Sequence, residues 1–193
     1  IMGGIAKRVL VVGAEAMSRI VDWNDRSTCI LFGDGAGAVI LEASEDSTRG
    51  IRAIRLEAQG EFGPLLGTHG GVCSTQTAGH LFMEGQEVFR HGVEKMSAIT
   101  LSTLAAAGLS LGDVDWLIPH QANARMITRI GRQLKIAQSK CVVTVPIHAN
   151  TSAASIPLAL DVANRDGRLK KGNIIAMPAL GAGLTWGCCV ISW

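Results

Sequence analysis

From residue 115 to residue 192 the chain alternates apolar runs of strand length with helical patterns, then closes on two strand-like runs in succession. This order constrains the fold more than any single motif does. Strands are expected at 115–118, 141–147, 173–178 and 184–192, and helices at 124–135 and 153–165. Such alternation builds a sheet with helices packed on its faces, and the two closing strands make that sheet mixed. Two of the strands end alike. Trp116-Leu117-Ile118 stops at Pro119 and runs into His120, Gln121 and Asn123; Val142 to Ile147 runs into His148-Ala149-Asn150-Thr151-Ser152. In open α/β sheets ligands sit at the carboxyl ends of strands, so both clusters are expected to face one site.

The upstream half is less regular. Val9-Leu10-Val11-Val12 reads as a fully buried strand with no preceding element to bury it, so the chain is expected to be the carboxyl part of something longer. Ser27 to Phe32 leads into Gly33-Asp34-Gly35-Ala36-Gly37, with a second strand at 38–41. A phosphate-binding glycine loop must open a helix. Here a strand follows, so a tight turn or bulge with close backbone packing is expected. The charged link 44–50 divides the chain into residues 1–46 and 47–193. Residues 51–58 alternate as a half-exposed strand. Residues 59–80 carry six glycines (60, 63, 67, 70, 71 and 79) and read as a long loop, a feature that compact domains keep mostly for function. Phe82 to Ala107 reads as one long helix stopped by Gly108.

Composition excludes more than it assigns. In 193 residues, 48% hydrophobic and 18% charged side chains suit a domain with a real core, and a net charge of +2 makes no case for nucleic acid or a membrane surface. No apolar run reaches the roughly 18 residues a spanning helix needs. The five cysteines, at 29, 73, 141, 188 and 189, have neither CxxC nor zinc spacing. They read as buried thiols in a reducing cytoplasm, and no metal is expected.

A histidine at a strand end is commonly a structural residue, and Asn150 before Thr151 and Ser152 is a good helix cap. Together they suggest more. A neutral imidazole N–H and an amide N–H₂ aimed at one point form a hole for an enolate or a tetrahedral oxyanion.

Four stretches carry a resemblance: Phe32-Gly33-Asp34-Gly35-Ala36-Gly37-Ala38, Ile118-Pro119-His120-Gln121-Ala122-Asn123, His148-Ala149-Asn150-Thr151-Ser152-Ala153-Ala154-Ser155 and Leu180-Gly181-Ala182-Gly183-Leu184-Thr185-Trp186-Gly187. In order and spacing they resemble β-ketoacyl-acyl-carrier-protein synthase III, a thiolase-fold condensing enzyme that starts fatty-acid synthesis. The likeness covers nearly the whole chain. It implies an α/β, thiolase-like fold with helices layered on a mixed five-stranded sheet. Residues 1–46 would end the first thiolase half, and residues 47–193 would form the second. It also implies a Claisen condensation of acyl-CoA with malonyl-acyl carrier protein, in a cytoplasmic homodimer that uses CoA thioesters as substrates and no cofactor. His120 and Asn150 match the catalytic histidine and asparagine. Arg26 aligns with an arginine that stacks on the CoA adenine; Phe32, Met83, Gly85, Ala122, Asn123 and Leu180 align with the lining of a pantetheine tunnel. The Ala182 backbone N–H aligns with a donor of the acyl oxyanion hole. Arg90, Arg125, Arg129 and Arg132 are candidates for docking the acidic carrier protein.

The family's nucleophilic cysteine sits in an Ala-Cys-Ala-Gly context that residues 1–193 do not contain, so the chain is expected to need an amino-terminal portion and to be inactive alone. Family members often carry glycine where Ser27 and Ala182 stand and phenylalanine where Leu180 stands, differences that bear on acyl-chain preference. Two other readings fit the residues: a related enzyme of secondary metabolism, such as one making polyketide starters, and a non-catalytic partner subunit that only shapes a pocket.

Overall fold

The computed structural model describes residues 1–71 and 73–193. Its centre is a four-stranded sheet in the order β3-β8-β7-β6, built from β3 (Gly50–Ala58), β6 (Trp116–Leu117), β7 (Ile174–Gly181) and β8 (Thr185–Ser192). β7 and β8 pair antiparallel as do β8 and β3, whereas β6 lies parallel to β7, so the sheet is mixed. Alternation along the inner strands explains the layers. On β6, Leu117 points into one apolar cluster while Trp116 joins the other; on β7, Ala176 and Ile175 divide in the same way. The first cluster packs beneath α1 (Gly85–Ala106) and α2 (Ala124–Gln133), using Met96, Ile99, Ile127 and Ile130, all at 1% exposure or less. The second packs beneath α4 (Ser155–Arg165) through Ala159, Leu160 and Ala163. Each large aliphatic side chain so buried contributes about 1.5–3 kcal/mol.

Beside this body lies a two-stranded antiparallel ribbon of β1 (Arg8–Ala16) and β2 (Asp34–Glu42), in register from Arg8 opposite Glu42 to Ala16 opposite Asp34. The ribbon leans on the 3-10 turn Ser152–Ala154 and on α4. Close approach there demands glycine. A Cβ on Gly13 would run into the Ala153 carbonyl, and one on Gly37 would meet Pro157 and the Leu158 amide at 3.0–3.1 Å. The opposite face is bare: Leu10, Val12 and Ile40 are 63%, 57% and 68% exposed.

Four expectations change. The strand expected over 141–147 shrinks to one parallel bridge from Cys141 to Leu117, which occupies the fifth place in the sheet. Val145–His148 (α3) is instead a helical turn. Pro146, which lacks an N–H, suits a first turn, and the Gln121 side chain accepts the N–H bonds of Thr144 and Val145 at 2.7 and 3.2 Å. Tertiary hydrogen bonds thus override the β-propensity of three valines. The long helix starts at Gly85, because Leu81–Met83 (β5) pairs with Leu66–Thr68 (β4). The glycine run at 33–37 is no turn: Asp34 already begins β2, and the close backbone packing expected there is its real feature. The glycine-rich stretch 59–80 holds a 3-10 segment, Gly60–Leu65, and β4; Val72 within it lies outside the described residues.

Candidate active site

His120 reaches the site because the chain of β6 stays hydrogen-bonded to β7 beyond the formal strand. The Ile118 N–H donates to the Ala176 carbonyl at 2.9 Å, and the His120 N–H to the Pro178 carbonyl at 2.8 Å. The imidazole is thereby fixed at the carboxyl end of the strand. Asn150 is pinned from the other half. Its N–H donates to the Leu31 carbonyl at 2.9 Å, and its carbonyl accepts from Gly33 at 3.0 Å. The flanking backbone is strained, with φ of 58° at Ala149 and 47° at Ser152, a region that non-glycine residues rarely occupy. Such strain persists where the surroundings enforce it, commonly at functional sites. The Asn150 Oδ1 accepts the Ser152 N–H at 3.0 Å, so the amide –NH₂ supplies the group's free donors.

Between these loops lies Gln121, wholly buried. Its amide donates to the carbonyls of Pro119 (2.8 Å) and Val142 (3.2 Å) and accepts from Thr144 and Val145. One side chain thus knits the histidine loop to the segment that leads to Asn150. The sequence gives no direct signal of this role beyond a polar residue placed against a core strand.

His120 and Asn150 line one cleft of about 1310 Å³. Phe32, Met83, Gly85, Ala122, Asn123, Leu180 and Ala182 line it too, so every residue expected for a tunnel wall is brought to the same cavity. Asn123 has a second task, capping α2 by accepting the Met126 N–H at 2.8 Å. Arg26 is exposed and is not part of the wall. It sits at the rim beside Ser27, which is, in a turn held by the Asp25 carboxylate through Ser27 and Thr28.

Burial pushes the His120 pKa down to about 4, with the Ser152 backbone pulling weakly the other way. The ring is therefore neutral at pH 7, with one nitrogen able to donate and one able to accept. Cys188 and Cys189 also line the cleft, but burial raises both thiols to about 11, which keeps them protonated and poor nucleophiles. Among the described residues no group of three His, Cys, Asp or Glu side chains is placed to hold a metal. No helix there is long and apolar enough to cross a membrane.

The four arginines part company. Arg125, Arg129 and Arg132 project from α2 into a shallow groove of about 370 Å³ shared with Phe89 and Thr128. All three are exposed, and no carboxylate of the described residues pairs with them. Arg90 lies outside that groove, bonded to Glu87 at 2.6 Å.

A mixed sheet covered on both faces, with a histidine and an asparagine lining one cleft at its edge, is the architecture of the thiolase-like class. Residues 1–60 match the family model for 3-oxoacyl-[acyl-carrier-protein] synthase III, and residues 104–193 match the model for its C-terminal part. The β-ketoacyl-[acyl-carrier-protein] synthase III of Mesorhizobium japonicum is 53% identical over the whole chain, which covers 61% of that protein. The same-named protein of Rhizorhabdus wittichii is 52% identical, with 60% covered. A crystal structure of 3-oxoacyl-[acyl-carrier-protein] synthase III from Aquifex aeolicus superimposes with a TM-score of 0.93 at 43% identity, over 100% of this chain and 60% of that one. The chain belongs to the 3-oxoacyl-[acyl-carrier-protein] synthase III family and spans about three-fifths of the length of these relatives.

Proposed function

We propose that these residues carry the decarboxylation half of a condensing site, which joins an acyl-CoA to malonyl-acyl carrier protein to give a 3-ketoacyl product. The observation that supports this most is a neutral imidazole and a free amide –NH₂ on one cleft. As the malonyl C–C bond breaks and carbon dioxide leaves, the electron pair moves onto the thioester carbonyl, and His120 and Asn150 donate to the oxygen of the resulting enolate. The carbanion then attacks the acyl-enzyme carbonyl and expels a cysteine thiolate. In this reading that cysteine would come from sequence outside residues 1–193, of which 1–46 would end the first thiolase half and 47–193 would form the second.

Phe32, Met83, Gly85, Ala122, Asn123 and Leu180 would line the path of the pantetheine arm. Arg26 would hold the CoA adenine at the rim, and the Ala182 N–H would donate to the acyl oxyanion. Arg125, Arg129 and Arg132 would form the basic face for the carrier protein, with Arg90 adding to it from α1. The complete protein would act as a cytoplasmic homodimer without a resident cofactor. Deleting one enolate donor costs about 3–4 kcal/mol, or about 10²–10³ in rate. His120→Ala or Asn150→Ala in the complete enzyme should therefore abolish malonyl decarboxylation and largely spare acyl transfer to the cysteine. Lost acyl transfer with normal decarboxylation would overturn the assignment.

A further inference from the structure

A neutral imidazole has two tautomers, and only one of them helps an enolate. If the proton sits on the nitrogen facing the cleft, the ring donates; if it sits on the other, the ring presents a lone pair to a developing negative charge. Something in the fold must choose. The choice falls to what the ring nitrogens meet, which here are Ser155 and the Ser152 backbone.

The inner nitrogen meets Ser155. His120 Nδ1 and Ser155 Oγ lie 2.7 Å apart, and Ser155 is 1% exposed at the first position of α4. A hydroxyl has one proton and two lone pairs, so a contact with a ring nitrogen does not by itself reveal which partner donates. A third group settles the direction. The backbone N–H of Gln121 donates to the same Oγ at 3.3 Å. An N–H can only donate, so it takes one of the two lone pairs; were Nδ1–H to take the other, the hydroxyl proton would have no acceptor among the described residues. Among the described residues His120 Nδ1 is the one other partner of that oxygen. The chain of donors therefore runs from the Gln121 N–H to Ser155 Oγ–H to Nδ1. With Nδ1 accepting, the ring proton is on Nε2, the nitrogen left for the cleft that His120 lines.

We propose that Ser155 is the positioning residue that holds His120 in its Nε2–H tautomer, making the imidazole a donor toward the cleft. This rests on the enolate reading of the site for its catalytic meaning, though not for its geometry. The arrangement is economical in the fold. The Gln121 side chain joins the two loops, while the same residue's backbone N–H orients the serine. Ser155 comes from the far side of the sheet on α4, so the packing of that helix through Ala159 and Leu160 sets the distance to the ring. Replacing the hydroxyl removes Nδ1's donor and leaves the proton shared between the two nitrogens, without touching the substrate.

The test uses the complete enzyme labelled with ¹⁵N-histidine, the His120 signals being assigned by their loss in His120→Gln. At pH 7 the native protein should show an unprotonated Nδ1 well downfield of a protonated Nε2. In Ser155→Ala the two shifts should move toward each other, and in Ser155→Thr, which restores a hydroxyl, they should return. Malonyl decarboxylation should fall about tenfold in Ser155→Ala, less than the about 10²–10³ for deleting a donor outright, and should fall more steeply than acyl transfer does. Ser155→Cys, near in size but a weak donor, should lie between and covers the case in which threonine does not fit. A native spectrum with the proton on Nδ1, or a Ser155→Ala spectrum identical to native, would overturn the proposal. A native enzyme that shows the expected tautomer but does not decarboxylate malonyl thioesters would refute the enolate reading alone.

Discussion

Replacing Gln121 by methionine isolates what one buried amide does for this site. The side chains are close in volume, so the change leaves little cavity, and the loss is one of hydrogen bonds. Four are removed: two donated to the Pro119 and Val142 carbonyls, and two accepted from Thr144 and Val145. The two N–H groups suffer most, because they open the helical turn Val145–His148 and make no other bond among the described residues. An unsatisfied buried donor costs about 1–3 kcal/mol, so the pair costs about 2–6 kcal/mol. The carbonyls, each with a second lone pair, add less. A destabilisation of about 4 kcal/mol is expected, a large share of the 5–15 kcal/mol that holds an ordinary domain together. Denaturant unfolding of the complete enzyme reads it directly. Gln133→Met, at an exposed position on α2, should shift stability by no more than about 0.5 kcal/mol. A Gln121→Met protein within about 1 kcal/mol of native would mean that water or a shifted loop satisfies these groups, and that the amide does not hold the two loops together.

Two further outcomes follow from the site. His120 has its folded pKa lowered to about 4 from an ordinary 6.5, so between those values the unfolded chain binds the extra proton. Stability is therefore fully present above pH 6.5 and drains as pH falls toward 4, by about 3 kcal/mol in all; pH-dependent denaturation of native and His120→Gln should differ by that slope, and decarboxylation should show no acid limb near 6.5. Charge reversal at Arg125 or Arg132 should raise KM for malonyl-carrier protein and flatten its salt dependence, with little change for short acyl-CoA; equal effects on both substrates would place these arginines in the fold or in CoA binding instead.

The body of the fold was legible because its signals are local. Periodicity located α1, α2, α4, β7 and β8 within a few residues, and Gly108 marked a real end. His120 and Asn150 were legible as a pair because both follow apolar runs at the sheet's carboxyl edge. The failures are non-local. Valines 142, 143 and 145 read as strand, since nothing in their neighbourhood announces that a glutamine 23 and 24 residues earlier takes the Thr144 and Val145 N–H bonds. The glycines at 35 and 37 read as a turn, since the helix that needs their missing side chains begins more than a hundred residues later. Ser155 sat in plain view within a recognisable motif, but its contact with His120 spans 35 residues and a change of layer.

The ribbon of β1 and β2 has a consequence in time. Its inner face is closed by residues far along the chain: Ala153 bonds to Glu15 across 138 positions. At about 5–20 residues per second, the ribosome delivers that covering turn roughly 7–28 s after the strand it covers. Until then the face of the ribbon that meets Ala153 and α4 lacks that cover. Contacts of such high sequence separation also form slowly once the chain is complete. During that interval the nascent ribbon is open to chaperones on its inner face, and an alternative pairing between two growing chains has time to occur.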